Sequence, residues 1–285
     1  MSKISYLNDK FINFKDAKIH VEDRGLQFGD SIYEVVGFVN KNFIDINFHF
    51  QRLRYSLKEL GIKYNFDNKK LMNIFYQLIN KNFLKNGLIY LQITRGVQPR
   101  NHVYKKNLKP TVIIYAQTKS FNLPNKKFKG VKVISYPDLR WSRRDIKTTN
   151  LLPNILAEKI ANKKGAYTSV LIKNNKITEG AHSNIWIIKK NIIFTHPVNT
   201  DILKGVTRTA LELIIKKSGF KLNENSFTMN QFFNADEAFL TSSGSLVTPI
   251  LKIDKNLVND GKIGKITLKI AKLYFEKFSN ENLKN

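Results

Sequence analysis

The sequence predicts an α+β protein of two domains, on three observations. At 285 residues the chain is long enough for two cores of ordinary size. Short apolar runs of strand length alternate irregularly with amphipathic stretches at helical spacing. From residue 119 to residue 130 neither pattern persists, because Pro124, Asn125 and several lysines interrupt it. That stretch reads as a linker joining an α+β domain at 1–118 to a second domain at 131–285.

The first domain opens on a hairpin signal, with Ile4 and Tyr6 followed by Phe11, Ile12 and Phe14 around Asn8-Asp9. A second hairpin is expected from 32–39 and 43–46 around Asn40-Lys41. Asn47 is expected to cap a helix through Leu60, with Phe50, Leu53, Leu57 and Leu60 on one face and Gly61 as its stop. Asp67 caps another, carrying Leu71, Ile74, Phe75, Leu78 and Ile79 on one face. Strands at 88–95 and 111–117 complete the domain.

The second domain begins with a strand at 131–136. Pro153 suits the first turn of a helix running towards Lys164, where Gly165 ends it. Strands are expected at 167–172 and 185–188, with turns at Asn174-Asn175 and Lys190-Asn191. Residues 206–218 form an amphipathic helix with Leu211, Ile214 and Ile215 inward. A short strand at 237–241 and a terminal helix at 266–278 follow. Many short strands among helices predict a barrel-like or sandwich arrangement rather than a doubly wound sheet.

Composition narrows the function classes. A hydrophobic content of 42% and an aromatic content of 12% suit a globular chain rather than a disordered one. The longest apolar runs, such as 112–116, are far too short to span a bilayer. Met1 to Asp9 lacks the apolar run and small-residue cleavage site of a signal peptide, so a cytoplasmic protein without membrane attachment is expected. With no cysteine, disulfides and thiolate metal sites are excluded. No His/Asp/Glu cluster has metal-ligand spacing, no Gly-rich dinucleotide loop appears, and His20, His49 and His196 stand isolated as structural residues. The net charge of +26 invites a nucleic-acid role. Lysine far outnumbers arginine, however, and is spread without a dense block, while asparagine is also abundant. A general compositional bias accounts for both, and the charge bears on solubility and attraction of anions rather than on fold.

The most informative residue is Lys147, within Arg144-Asp145-Ile146-Lys147-Thr148-Thr149-Asn150. Downstream lie Thr178-Glu179-Gly180, Lys204-Gly205-Val206-Thr207-Arg208 and Thr241-Ser242-Ser243-Gly244. An amine, a carboxylate and scattered phosphate donors are the parts that hold pyridoxal phosphate as a Schiff base, with the ring as electron sink. Val206 and Thr207 open the 206–218 helix, where backbone N–H groups favour phosphate. In Gln98-Pro99-Arg100-Asn101-His102 two cationic donors sit two residues apart, so an extended loop projects both to one side, as a clamp for one carboxylate requires.

Spread over nearly the whole chain, these segments resemble the fold-type IV pyridoxal-phosphate enzymes, and within them the D-amino acid aminotransferases. The matching segments are Glu22-Asp23-Arg24-Gly25, Phe28-Gly29-Asp30, Arg52-Leu53, Thr94-Arg95-Gly96, Asp145-Ile146-Lys147, Thr178-Glu179-Gly180, Lys204-Gly205-Val206-Thr207-Arg208 and Thr248-Pro249. The resemblance implies a small N-terminal α/β domain and a larger C-terminal pseudo-barrel domain. It implies that Lys147 is the Schiff-base lysine and proton shuttle, and that Glu179 pairs with the pyridine nitrogen. Arg52, Val206, Thr207 and Ser243 are then the phosphate donors. Tyr33, Tyr90, Arg100 and His102 bind substrate, the last two from the neighbouring subunit of a homodimer, so that Tyr33, Arg100 and His102 trap the α-carboxylate.

The implied reaction moves the amino group of a D-amino acid such as D-alanine to an oxo acid such as 2-oxoglutarate. A branched-chain (L-)aminotransferase and aminodeoxychorismate lyase share the fold, and the Arg100/His102 pair argues against both. A basic nucleic-acid-binding protein is the non-enzyme alternative, opposed by an intact Lys147 and Glu179. His182 departs from the small residue usual after Glu-Gly, and Gly244 and Leu246 from the polar residues usual in their turn. Trp141 is expected beside the site or in a core.

Overall fold

A computed structural model describes residues 3–280, with side chains to residue 278; Met1 and Ser2 of the N-terminal reading lie outside the described residues. The chain divides into two compact units. One takes the residues up to Ser120 together with Ile146–Asn150; the other takes Phe121–Asp145 and everything from Leu151 onward.

In the first unit six strands form a wholly antiparallel sheet: β1 (Ile4–Leu7), β2 (Lys10–Asn13), β3 (Ser31–Val39), β4 (Asn42–Phe43), β5 (Gly87–Thr94) and β6 (Thr111–Thr118), in the order β2-β1-β6-β5-β3-β4. Both expected hairpins form, with Asn8, Asp9, Asn40 and Lys41 at positive φ. The second is shorter than expected, because Ile46 already belongs to helix α2 (Ile46–Leu60). Asp45, not Asn47, precedes that helix, and it makes no side-chain cap bond. Gly61 ends it at φ 61. Asp67 caps α3 (Asn68–Lys81) by accepting from the Lys70 N–H. A single-turn α1 (Arg24–Phe28), capped by Asp23, is too short for periodicity to reveal.

Side chains alternate across a strand. One face of the sheet, with Ile32, Val36, Phe38, Ile89, Leu91, Ile93 and Ile114, meets Phe50, Leu53 and Leu57 of α2 and Leu71, Phe75, Leu78 and Ile79 of α3 in one core. The opposite face carries Tyr33, Tyr90, Gln92 and Tyr115.

Lys147 was expected with the C-terminal domain, but its segment groups with this first sheet. The cause is an open edge. β4 pairs only with Phe38 and Val39, leaving the start of β3 without a neighbouring strand on that side. Residues 147–149 fill it. Tyr33 N–H donates to the Lys147 carbonyl at 3.0 Å, Thr149 N–H to the Ser31 carbonyl at 3.3 Å, and Thr148 bridges Ile32. Buried backbone groups on an edge need such partners.

In the second unit the strands are β7 (Val131–Pro137), β8 (Thr168–Lys173), β9 (Lys176–Gly180), β10 (Asn184–Lys189), β11 (Ile192–Thr195), β12 (Lys221–Asn223), β13 (Glu237–Ser242), β14 (Leu246–Ile253) and β15 (Asn256–Leu257). The order is β12-β11-β10-β13-β14-β7-β8-β9, with β15 beside β14. β9 ends one side of this order and β10 lies near the other, yet only Ala181-His182-Ser183 connects them. The sheet therefore curls back on itself as a half-barrel, matching the expected barrel-like class. α4 (Leu152–Lys163) packs on β7 and β8, and α5 (Val206–Lys217) and α7 (Lys265–Asn280) pack on each other and on β13 and β14. α6 (Met229–Phe233) begins with a capping box between Thr228 and Gln231. The buried Trp186 stacks on Phe239 with centroids 5.5 Å apart. Trp141, in contrast, is 37% exposed and belongs to no core.

Candidate active site

On the open face of the first sheet the Lys147 amine lies 4.2 Å from the centroid of the Tyr33 ring. Lys147 is half-buried, and no carboxylate pairs with its amine among the described residues. Its backbone N–H donates to the buried Ser56 hydroxyl on α2 at 3.2 Å. Tyr33 stacks on Tyr90, and Tyr90 on Tyr115, with centroids 5.7 and 5.0 Å apart. Tyr90 Oη donates to Gln92 Oε1 at 2.9 Å, and Gln92 Nε2 donates to Ser31 Oγ at 3.2 Å. Ser31 in turn meets the Thr149 hydroxyl at 2.5 Å. One hydrogen-bonded chain thus runs from Tyr90 to the segment that carries the lysine. Burial pushes the Tyr90 phenol far above its ordinary range, so it acts as a neutral donor.

Arg52 sits on α2 and points to the helix-facing side of β3. Its Nε donates to Glu34 Oε1 at 2.8 Å and its Nη2 to Oε2 at 2.7 Å. His49, three residues earlier on the same helical face, meets Glu34 Oε2 through Nδ1 at 2.6 Å. Burial alone pushes the Glu34 carboxyl up; the Arg52 charge and hydrogen bond, with His49, outweigh it and hold the carboxyl down at about 2. Burial pushes the His49 imidazole below its ordinary range, against the pull of Glu34. The neutral ring therefore donates Nδ1–H to a carboxylate that can only accept. His49 is not isolated, as the sequence suggested: it belongs to a buried triad with Glu34 and Arg52.

Arg100 and His102 are both exposed, and both pack on Phe28. The Arg100 guanidinium carbon lies 4.6 Å from the ring centroid, and the His102 ring 5.4 Å. The two side chains are thus brought together over one aromatic ring.

In the second unit Glu179 lies buried on β9. Its oxygens accept from the Leu203 N–H at 3.1 Å and from Asn184 Nδ2 at 3.0 Å, and Arg140 pairs with it closely. Burial pushes the carboxyl above the usual carboxylate range, opposed by Arg140 and the Leu203 N–H. Arg140 also donates to Asp138 at 2.8 Å. Burial opposes its charge, but Glu179 and Asp138 together push its guanidinium further up. Asp138 accepts from the Thr178 hydroxyl at 2.7 Å, so both sides of β9 enter this network.

Asn184 also donates to the Leu203 carbonyl at 2.9 Å, tying Glu179 to the segment that enters α5. Gly205 caps that helix; a Cβ there would come 2.2 Å from Asn184 Oδ1, so a larger residue would displace the Asn184 amide. Val206 and Thr207 follow as its first residues, both buried. Ser243 occupies the tight turn between β13 and β14, where Ser242 and Ser245 hydroxyls meet at 2.7 Å and Leu246 has φ 55. His182 is half-exposed, 3.8 Å from Glu158 and with its ring 6.2 Å from that of Tyr167.

The sequence reading missed Glu34, Arg140 and Asn184. The His49/Arg52 spacing signalled a shared helix face, but nothing local pointed to Glu34. Arg140 finds its partners 2 and 39 residues away, with no motif joining them. Among the described residues no group of three His, Cys, Asp or Glu could hold a metal, and no helix is long and apolar enough to cross a membrane.

Comparison with known proteins bears on what this chemistry serves. A family model described as amino-transferase class IV matches residues 31–253. D-alanine aminotransferase of Staphylococcus aureus (strain MSSA476) is 37% identical over 280 residues, covering 98% of each chain. The Staphylococcus epidermidis enzyme of the same name is 39% identical over the same length and coverage. Among solved structures, a branched-chain amino acid aminotransferase from Escherichia coli superposes with a TM-score of 0.88, over 99% of this chain and 96% of the other, at 24% identity. At that identity the likeness speaks for the fold alone.

Proposed function

This chain belongs to the class IV aminotransferase family, and from that premise we propose that it is a pyridoxal-phosphate-dependent transaminase acting on D-amino acids of the D-alanine type, with 2-oxo acids of the 2-oxoglutarate type as acceptors. The relatives of that activity, 37–39% identical across almost the whole chain, support the substrate class. The observation that carries the residue assignment is the Lys147 amine, half-buried over the Tyr33 ring without an acidic partner among the described residues. A lysine so held is available to condense with an aldehyde rather than engaged in an ion pair.

The residues present fit the cofactor. It demands an accessible amine, a carboxylate for the pyridine nitrogen and anion donors for the phosphate, and Lys147, Glu179, and Arg52 with Val206, Thr207 and Ser243 supply these chemistries. Pyridoxal phosphate, when bound, supplies an electrophilic carbon and a ring that accepts the electrons left by the substrate α-proton. Lys147 Nζ takes that proton and later returns it. Glu179, made more basic by burial and oriented by Asn184 and the Leu203 N–H, holds a proton at the pyridine nitrogen. Arg140 restrains Glu179 without itself needing to touch the reacting atoms. The backbone N–H groups at the start of α5 present the positive end of the helix to the phosphate.

Arg100 and His102 bind the substrate α-carboxylate with Tyr33, and Tyr90 lines the pocket as a neutral donor. We read the loop as serving the neighbouring subunit of a homodimer. Val97 and Val103, exposed apolar residues on either side of Arg100 and His102, support burial against a second copy. The reading includes division into two domains joined through 119–130, a cytoplasmic setting, and no nucleic-acid or membrane partner.

The test is borohydride reduction in the presence of pyridoxal phosphate, followed by peptide mapping. Covalent label on Lys147, abolished by Lys147→Ala, is expected. Label confined to other lysines contradicts the assignment.

A further inference from the structure

Behind the exposed Arg100 and His102 lies a buried charge network that the reaction itself does not use. Arg24, 4% exposed, donates from Nη1 to the Asn101 carbonyl at 2.6 Å and from Nη2 to the His102 carbonyl at 3.3 Å. Its Nε donates to Asp30 Oδ2 at 2.8 Å. Arg95, 7% exposed, grips the same carboxylate, with Nε 2.7 Å from Oδ2 and Nη2 2.9 Å from Oδ1. Arg95 then donates to the carbonyls of Leu60 and Gly61, at 2.6 and 3.1 Å, at the C-terminal end of α2. Tyr104 covers the pair: its ring centroid lies 3.7 Å from the Arg95 guanidinium carbon and 5.6 Å from that of Arg24.

Buried charge persists only where it is paired. Here one carboxylate stands between two guanidinium groups, and the remaining donors are turned onto main-chain carbonyls. Burial opposes the ionised Asp30 carboxyl, but the two arginines outweigh it and lower its titration below the ordinary range. The loop is closed from within as well. Gln98 donates to the Val103 carbonyl at 3.1 Å and accepts from the Lys105 N–H at 2.9 Å, while Asn101 Oδ1 accepts from the Val103 N–H at 2.9 Å. Drawing the carbonyls of residues 101 and 102 inward leaves the Arg100 and His102 side chains outward, both against Phe28. That ring also lies 4.7 Å from the Arg24 guanidinium carbon.

We propose that Arg24 and Asp30 are positioning residues for substrate-carboxylate capture: Arg24 holds the Asn101–His102 backbone by its carbonyls, and Asp30, through Arg95, anchors that hold to the end of α2. The inference rests on the reading of Arg100 and His102 as the carboxylate-binding pair. Neither Arg24 nor Asp30 touches the reacting atoms. Both act by giving two exposed basic side chains a single arrangement before substrate arrives, which lowers the ordering required on binding.

Three variants test it as holoenzymes. Arg24→Lys keeps the charge but loses the planar fork that spans a carboxylate and two carbonyls. Asp30→Asn keeps the shape and loses the charge between the arginines. Arg100→Ala removes the cation itself. The measurements are KM for D-alanine and for 2-oxoglutarate, kcat, and cofactor affinity. Arg24→Lys and Asp30→Asn should each raise both KM values about tenfold, with kcat within about twofold of the parent and cofactor affinity unchanged, a pattern marking lost substrate capture. If Arg100→Ala leaves KM unchanged, the carboxylate reading fails and this inference falls with it. If Arg100→Ala raises KM while the other two leave it unchanged, or lower kcat and cofactor affinity instead, the positioning role alone is overturned. Should neither Arg24→Lys nor Asp30→Asn fold, Tyr104→Leu carries the test, removing only the half-exposed ring over the arginines. A KM rise of about threefold at constant kcat supports the inference, and an unchanged KM overturns it.

Discussion

Arg52 rests its guanidinium flat against the carboxylate of Glu34, one nitrogen 2.8 Å from one oxygen and another 2.7 Å from the second. The pairing turns a long side chain that could wander into one with a fixed direction. If Arg52 also holds phosphate, Arg52→Ala should lower cofactor affinity about tenfold or more, the typical effect of one charge-assisted bond. It should also lower thermal stability, since Glu34 keeps only a neutral His49, and breaking a buried pair costs roughly 3–5 kcal/mol. Titration with pyridoxal phosphate and a melting curve read the two effects separately. Unchanged cofactor affinity beside a lowered melting point would assign Arg52 to Glu34 alone.

The same carboxylate makes acid stability predictable. Glu34 titrates at about 2 in the folded protein, whereas an unfolded glutamate titrates near ~4.3. Its folded-state pKa is the depressed one, so its contribution is fully present above about pH 4.3 and is lost as pH falls towards 2. A shift of this size corresponds to roughly 3 kcal/mol. Denaturant midpoints measured between pH 5 and pH 2 should therefore fall more steeply for the parent than for Glu34→Gln. Identical slopes would remove Glu34 from the explanation.

If Glu179 pairs with the pyridine nitrogen, Glu179→Gln keeps shape and hydrogen bonding to Asn184 but removes the charge there. The cofactor should remain bound while α-proton removal slows, because the electron sink is weakened. Single-turnover rates with α-deuterated and ordinary D-alanine read that step. Rates equal to the parent's would leave Glu179 a structural partner of Arg140.

The candidate site residues were chosen from local chemistry, whereas the contacts around them depend on pairings that no local pattern encodes. Lys147 and the Arg100/His102 spacing stood out because their side chains define a reaction type within a few residues. Capping residues and glycine stops marked the helices α2, α3 and α4, apart from the true start of α2, where Asp45 adopts φ 53. β9 escaped notice because it is buried from Ile177 to Gly180 without the alternation of a half-exposed strand. β14 contains Pro249, which argues against a strand on sequence grounds; here Pro249 stands opposite Phe239, and the pairing of β14 with β7 is irregular between Ile250 and Lys252. The placement of residues 146–150 depended on the open edge of β3, which exists only once the shortness of β4 is known.

If Arg100 binds the substrate carboxylate, Arg100→Ala should raise the KM for D-alanine much more than it weakens cofactor binding, since only substrate capture then loses its cation. If the loop serves the neighbouring subunit, mixing Arg100→Ala with Lys147→Ala subunits places both defects in one site of a heterodimer and leaves the other intact. At D-alanine concentrations well below the KM of Arg100→Ala, such mixtures should recover activity beyond the sum of the two variants alone. Absence of recovery would mean that each loop serves its own subunit.

Transamination of D-amino acids through Lys147 can be followed by mixing holoenzyme with D-alanine or L-alanine and no oxo acid, then quantifying pyruvate. About one pyruvate per active site is expected from D-alanine, far faster than from L-alanine, and none from Lys147→Ala, because a transaminase completes only its first half-reaction without an acceptor. Faster conversion of L-alanine, or pyruvate formed at the parent rate by Lys147→Ala, would contradict it.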